Sequence, residues 1–306
     1  MKRLQTNNIF LSLFTVFAFT FLLTSCEKEV HINLGSEPAR PVVQGAIETD
    51  LPPYVLLTST LSFFSNIDLK TLENSFLHGA DIKVTDGIKT ATLKEYAIDT
   101  GASSKFYVYT VDTSNLANVI LGQDGHTYTL TITYNGNTYT SVTKIPQPKG
   151  PDSVWFARPS FIRDQTPDSA MQLFASYTDP DTTGNYVRYF TQRDNQQFWP
   201  SGIFSDEIIN GKTVDNIGLI GGYENTGNDN TNRDSLIYFF PGETVTLKWC
   251  EIDKGVYDFW NTMQFAQNAV GNPFSSPINV KTNITNGAVG IWAGYGSVKY
   301  TRVVPH

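Results

Sequence analysis

The sequence predicts a mainly β fold of two β-sandwich-like domains, the N-terminal one Ig-like and the C-terminal one carrying a single docked α-helix. Three observations predict it. Short runs rich in β-branched and aromatic residues recur between turn signals from Pro41 onward. A Pro-dense segment, Pro146 to Pro151, interrupts them midway. A helical apolar stripe stands out at one place, after Asp253. The 306 residues suit two domains of ordinary size, and 20 Phe with 15 Tyr supply enough apolar surface to exclude wholesale disorder.

The chain begins with processing signals. Lys2 and Arg3 precede an apolar stretch from Ile9 to Leu23, short for a membrane span and of the right length for a secretory h-region. It ends in Leu23-Thr24-Ser25-Cys26, which resembles the bacterial lipobox, where small residues admit the signal peptidase and the Cys thiol carries the lipid. Residues 1–25 therefore read as a lipoprotein signal peptide, Cys26 as the lipidation site and residues 26–37 as a lipidated tether. Acyl chains contribute about 0.8 kcal/mol per buried CH2, so anchoring needs no transmembrane helix. With Cys26 acylated, Cys250 has no partner for an intramolecular disulfide. Glu27, Lys28 and Glu29 then give a charged start resembling the export signal of Bacteroidetes surface lipoproteins.

Residues 38–147 form the predicted Ig-like domain. Candidate strands are Val42 to Ile47, Tyr54 to Thr58, Asp81 to Thr85, Lys89 to Tyr96, Phe106 to Tyr109, His126 to Tyr134 and Asn137 to Ile145. Asp86-Gly87 and Asn135-Gly136 are the turns of two hairpins. Tyr128, Leu130, Ile132 and Tyr134 alternate with Thr, which marks one buried face. Residues 148–306 form a second, mainly β domain. Its strands are predicted at Ser153 to Phe156, Met171 to Tyr177, Tyr186 to Gln192, Leu236 to Phe240 and Thr244 to Glu251, with a final pair within Gly287 to Val304. Asp253 caps a helix near 253–268, whose Val256, Phe259, Trp260 and Met263 make one apolar stripe. Glu224 to Asp234 reads as a polar loop.

Little in the chain specifies chemistry. The formal charge of -7, or -9 once Lys2 and Arg3 are removed, argues against a nucleic-acid partner. His31, His78, His126 and His306 are scattered, so no zinc site is predicted, and no phosphate-binding or dinucleotide-binding glycine loop supports a cofactor. No Gly-x-Ser-x-Gly elbow occurs, and Cys250 lies inside an apolar strand pattern, which reads as an inert thiol. Asp206-Glu207, Glu251-Asp253 and Asp179-Asp181 are the carboxylate pairs that a glycosidase would have to place across a cleft. Asp229, Asn230, Asn232 and Asp234 offer oxygen ligands but lack the Gly and closing Glu of a calcium loop. No catalytic residue and no metal ligand is assigned.

Several blocks together resemble the DUF4249 family of Bacteroidetes outer-membrane lipoproteins, a domain of unknown function. They are Leu23 to Cys26, Asp86-Gly87, the Pro-rich segment before Asp152-Ser153-Val154-Trp155-Phe156, Gly184-Asn185-Tyr186, Tyr257-Asp258-Phe259-Trp260, Gly271-Asn272-Pro273-Phe274, Asn283-Ile284 and Gly290 to Gly296. The resemblance implies an outer-membrane lipoprotein on the periplasmic or cell-surface face, and an accessory to a TonB-dependent transporter. The expected function is non-catalytic binding, with the lipid anchor, the transporter and an extracellular glycan or other nutrient as partners. The alternatives are a carbohydrate-binding surface lipoprotein, or a glycan or peptide hydrolase working through Asp or Glu. Candidate binding residues are Trp292, Tyr295 and Trp199. Trp292, between Gly290 and Gly294, either lies flat on a partner or is a core aromatic like Trp260, the glycines then being bulges.

Overall fold

The computed structural model describes residues 38–61, 67–99, 101, 104–115, 119–159, 162, 166–207, 209–222, 237–269, 276 and 278–306. Residues 1–25 and 26–37, read from sequence as signal peptide and tether, Glu224 to Asp234 and Gly271 to Phe274 lie outside them. Ala39–His306 forms one compact unit. Its strands in chain order are β1 (Pro41–Glu48), β2 (Tyr54–Ser59), β3 (Asp81–Thr85), β4 (Thr90–Asp99), β5 (Lys105–Val111), β6 (Thr127–Tyr134) and β7 (Asn137–Lys144). They continue as β8 (Ser153–Ala157), β9 (Gln172–Thr178), β10 (Tyr186–Arg193), β11 (Trp199–Ser205), β12 (Thr213–Leu219), β13 (Thr244–Ile252) and β14 (Val289–Val303). The helices among the described residues are α1 (Leu69–Asn74) and α2 (Lys254–Ala269). The protein is mainly β, with one long helix docked on the sheet.

Local chemistry explains the hairpins. Asn135 and Gly136 both have positive φ, 48° and 78°, as a two-residue turn between right-twisted strands requires, and they join β6 to β7. Between β3 and β4, the Asp86 carboxylate accepts from the backbone N–H groups of Ile88 and Lys89, at 2.8 and 2.7 Å. At α2, Asp253 Oδ1 accepts from the Val256 N–H at 2.9 Å, while its Oδ2 accepts from the Thr143 hydroxyl at 2.6 Å. One carboxylate thus caps the helix and fastens it to the end of β7.

The main sheet has the order β11-β10-β13-β14-β1-β2-β5-β4-β3-β6-β7, and β12-β9-β8 form a smaller one. β14 joins the halves. Val289 to Tyr295 run parallel to β1, and Gly296 to Val303 run antiparallel to β13. The boundary drawn at 147/148 falls between β7 and β8, and strands from both sides of it share the main sheet.

Three buried clusters fill the interior. The inner faces of β1 to β7 enclose one, with Leu57, Ile82, Tyr128, Ile132 and Trp292 at its centre. A second, around Trp249 and Phe239, lies between β10, β13 and the small sheet. The third lies on the opposite face of β10 and β13, under α2.

Three features differ from the sequence expectations. The final pair of strands within Gly287 to Val304 is a single strand, β14. Its glycines permit close approach instead of a turn: a Cβ on Gly294 would lie 2.3 Å from the Lys144 carbonyl oxygen, and one on Gly296 would lie 2.2 Å from that of Pro146. Residues 237–240 are not a regular strand but make an isolated bridge, Met171 to Phe239. β11 and β12 are strands that the pattern did not predict, since Pro200, Ser201 and Gly202 depress β-propensity. β11 tolerates Pro200 because it lies at the sheet edge.

Candidate functional site

Alternation along β10 decides where the site lies. Val187 and Tyr189 enter the Trp249 cluster, whereas Tyr186 and Phe190 belong to the α2 side. Arg188 shares the second face. It is paired across the ladder with Cys250 and Ile203, in an apolar setting unusual for a cation. Above it α2 presents Val256 and Phe259 as buried contacts, with Trp260 and Met263 partly covered along the same stripe.

The helix covers only part of this face. Beside it lies a cleft of about 350 Å3 whose lining includes Glu48, Leu51, Tyr54, Phe190, Phe198 and Tyr295. A second depression of about 240 Å3 runs along α2 past Met263 and Gln267, and Arg188, Pro200 and Trp260 line both. Arg188 is 8% exposed. Its guanidinium carbon stands 3.5 Å from the Trp260 ring centre and 4.9 Å from that of Phe190. Its Nη1 donates to the Tyr295 hydroxyl at 3.0 Å, and Trp260 Nε1 donates to the same oxygen at 3.0 Å.

The electrostatics are asymmetric. Lys248 is matched: its ammonium lies 2.8 Å from Glu48 Oε2, and Glu48 Oε1 accepts from the Ser297 hydroxyl at 2.9 Å. Arg188 pairs with no carboxylate among the described residues. Tyr295 accepts two hydrogen bonds, so its own proton remains for a further acceptor. At the mouth, Tyr54 is 41% exposed as a residue. Its hydroxyl pKa is nevertheless pushed up to about 12, first by desolvation and then by Tyr295 and Glu48, so it remains a neutral donor near neutral pH. The surroundings can orient an oxyanion between a guanidinium and a phenol, with aromatic walls beside it.

The residues singled out from sequence fall in different places. Tyr295 is in the cleft wall, as is Trp260, which the sequence reading assigns to the apolar stripe of the helix. Trp292 is not a surface platform: it is 0% exposed, its Nε1 donates to the Tyr128 carbonyl at 3.1 Å, and its backbone N–H donates to Asn283 Oδ1 at 2.9 Å. A Cβ on Gly45 would lie 2.8 Å from the Trp292 ring, so the small neighbour makes room for a core aromatic instead of opening its face to solvent. Trp199 stands between Phe198 and Pro200 in sequence, and those two line the cleft while Trp199 does not. Arg188 carries no sequence signal of its own, because an arginine in a strand becomes notable only when it is buried.

Of the carboxylates, Asp179, Asp206 and Glu251 come near one another, and each is buried. Asp206 Oδ2 accepts from the Gly184 and Asn185 N–H groups at 2.8 and 2.9 Å. Asp179 Oδ2 accepts from the Gly211 N–H at 3.2 Å, and Tyr177 donates to Glu251 at 3.1 Å. These bonds fasten loops to the ends of β9, β10 and β13. Asp229 to Asp234, read from sequence as a polar loop without the residues of a calcium site, lies outside the described residues; among those described, no group of His, Cys, Asp and Glu is arranged to hold a metal. No described helix is long and apolar enough to cross a membrane. Burial pushes the Cys250 thiol far up, consistent with an inert side chain.

Comparison with known families decides the affiliation. The sequence model described as "Domain of unknown function (DUF4249)" matches residues 27–301, nine-tenths of the chain. The chain belongs to the DUF4249 family. No curated protein matches it. The DUF4249 match begins directly after Cys26 and ends at Thr301, two residues before the end of β14, so the residues lining the cleft, Gln44 to Tyr295, all fall in the family region.

Proposed function

We propose that this DUF4249 protein is a non-catalytic, membrane-anchored binding protein, held at the outer membrane through Cys26 and serving as an accessory to a TonB-dependent uptake system. The observation that carries the binding role is the Arg188 cleft: an aromatic-walled recess, the Tyr295 hydroxyl with its proton uncommitted and a buried cation form a receptor for a small solute. The lipobox at Leu23 to Cys26 supports the anchor. A pulldown from detergent-solubilised outer membranes, using the acylated protein, is expected to recover a TonB-dependent transporter. Repeated recovery of none removes the accessory role.

The aromatic walls also favour a second reading, in which the solute is a sugar stacked on Trp260, Phe198 or Tyr54. A glycan array probed with the intact protein tests it. Silence across neutral and acidic glycans removes this reading and leaves non-carbohydrate solutes.

A further inference from the structure

Arg188 presents an unusual balance of charge. Burying a guanidinium without an opposite charge is unfavourable, and its attraction to the Trp260 and Phe190 faces offsets only part of that cost. Its one side-chain hydrogen-bond acceptor among the described residues is a phenol, that of Tyr295. The ring of groups around the cleft holds Arg188 and Lys248 as cations and Glu48 as the anion, and Glu48 is already engaged by Lys248 and Ser297. Among the groups that line the cleft one positive charge is left, and it is the buried one; Lys299, whose ammonium stands 5.7 Å from the Phe198 ring centre, is an exposed side chain outside the lining.

We infer that this cleft is a receptor for a monocarboxylate, in which Arg188 takes the carboxylate and Tyr295 donates its free hydroxyl proton to the same group. Geometry supports the pairing. The guanidinium is planar with five donors in a fixed fork, only one of which is directed at Tyr295, and it lines both depressions. Tyr295, held by Arg188 and Trp260, is oriented before any ligand arrives. A single residual charge suits a monoanion better than a phosphate dianion, whose second charge would face Glu48 at the same cleft. Phe190, Phe198, Pro200, Leu51 and Trp260 then surround the rest of the molecule, which must be apolar or present a flat face. The ligand class is an organic acid with one carboxylate and a compact hydrophobic or cyclic body.

This inference rests on the cleft being the ligand site, and the test separates the two. Isothermal titration of the intact protein would use phenylacetate, hexanoate and galacturonate against phenylacetamide, hexanamide and galactose, with inorganic phosphate as a further probe. At least one acid is expected to bind at least 30-fold more tightly than its neutral counterpart and than phosphate. Arg188→Met is expected to abolish that preference. Tyr295→Phe, which keeps the ring, is expected to weaken the acid at least threefold while leaving the neutral compound unchanged. Thermal melts check that both variants fold, and if Arg188→Met does not, Tyr295→Phe and the acid-to-neutral ratio of the native protein decide. Equal binding of acids and neutral counterparts, lost on Trp260→Ala, overturns the carboxylate assignment and keeps the cleft as a binding site. Tighter phosphate binding also overturns it. No binding by any probe overturns both the assignment and the binding site.

Discussion

Trp292 and Tyr295, three residues apart on β14, face opposite sides of the sheet. The Trp292 indole is enclosed with Tyr128 and Leu57 in the core of β1 to β7, while the Tyr295 phenol meets Arg188 and Trp260 beneath α2. An odd separation on a strand reverses the face, so two aromatics of one glycine-rich segment do different work.

Trp292→Ala is accordingly expected to cost about 3 to 5 kcal/mol in denaturant unfolding, the range for truncating a fully buried large aromatic. Trp260→Ala opens the cleft at a partly exposed site and is expected to cost less. A cost for Trp260→Ala equal to that of Trp292→Ala would mean that Trp260 is chiefly a core residue.

Stability is expected to fall as pH rises from about 4.5 to about 7. Burial pushes the Glu251 carboxyl up to about 7, against 4.5 for a free side chain. Between those values the native state holds a proton that the unfolded chain releases, so the favourable contribution is complete below 4.5 and lost as pH passes 7. Glu251→Gln retains an oxygen to accept from Tyr177. It is expected to match the native protein near pH 4 and to exceed it at pH 8 by up to about 3 kcal/mol. Parallel stability curves for the two proteins across pH 4 to 8 would refute this.

Cys26→Ala is expected to shift the protein from the membrane to the soluble fraction without altering its melting temperature. The variant remaining with membranes after a high-salt wash would remove the lipid anchor from the proposal.

Native trypsin is expected to spare Lys149, although it lies between prolines in a segment that reads as a linker. The Lys149 ammonium bonds the Thr178 carbonyl and stands 4.7 Å from the Tyr177 ring centre, and Tyr300 donates to the Pro151 carbonyl at 3.1 Å. A fragment of residues 38–147 lacks β14 and the Trp292 side chain, and is expected to gain ordered structure on addition of a 289–303 peptide. Rapid native cleavage at Lys149, with a fragment that folds unaided, would establish an independent domain.

The parts of the fold legible in the sequence were those set by local periodicity. Tyr128 to Tyr134 alternates because one face of β6 is buried, and Val256 to Met263 repeats at helical spacing because α2 lies on a sheet. β11 was hidden because Pro200 and Gly202 suit an edge strand and not an average one. The same alternation, applied to β14, would have separated Trp292 from Tyr295. Arg188 was beyond reach: its importance arises from β10, β13, β14 and α2 meeting around it, and only the folded chain brings those residues together.

β14 follows every other described strand, yet it is the partner of β1, the first of them. Residues synthesised after all the other described strands therefore supply the Trp292 plug for a core whose other strands were made long before. Until they arrive, β1 and β13 each have one unpaired edge, β1 keeping only β2 and β13 only β10. Such a topology favours a late, all-at-once closure, and it makes a truncation anywhere before residue 289 a defect of the whole fold and not of one strand.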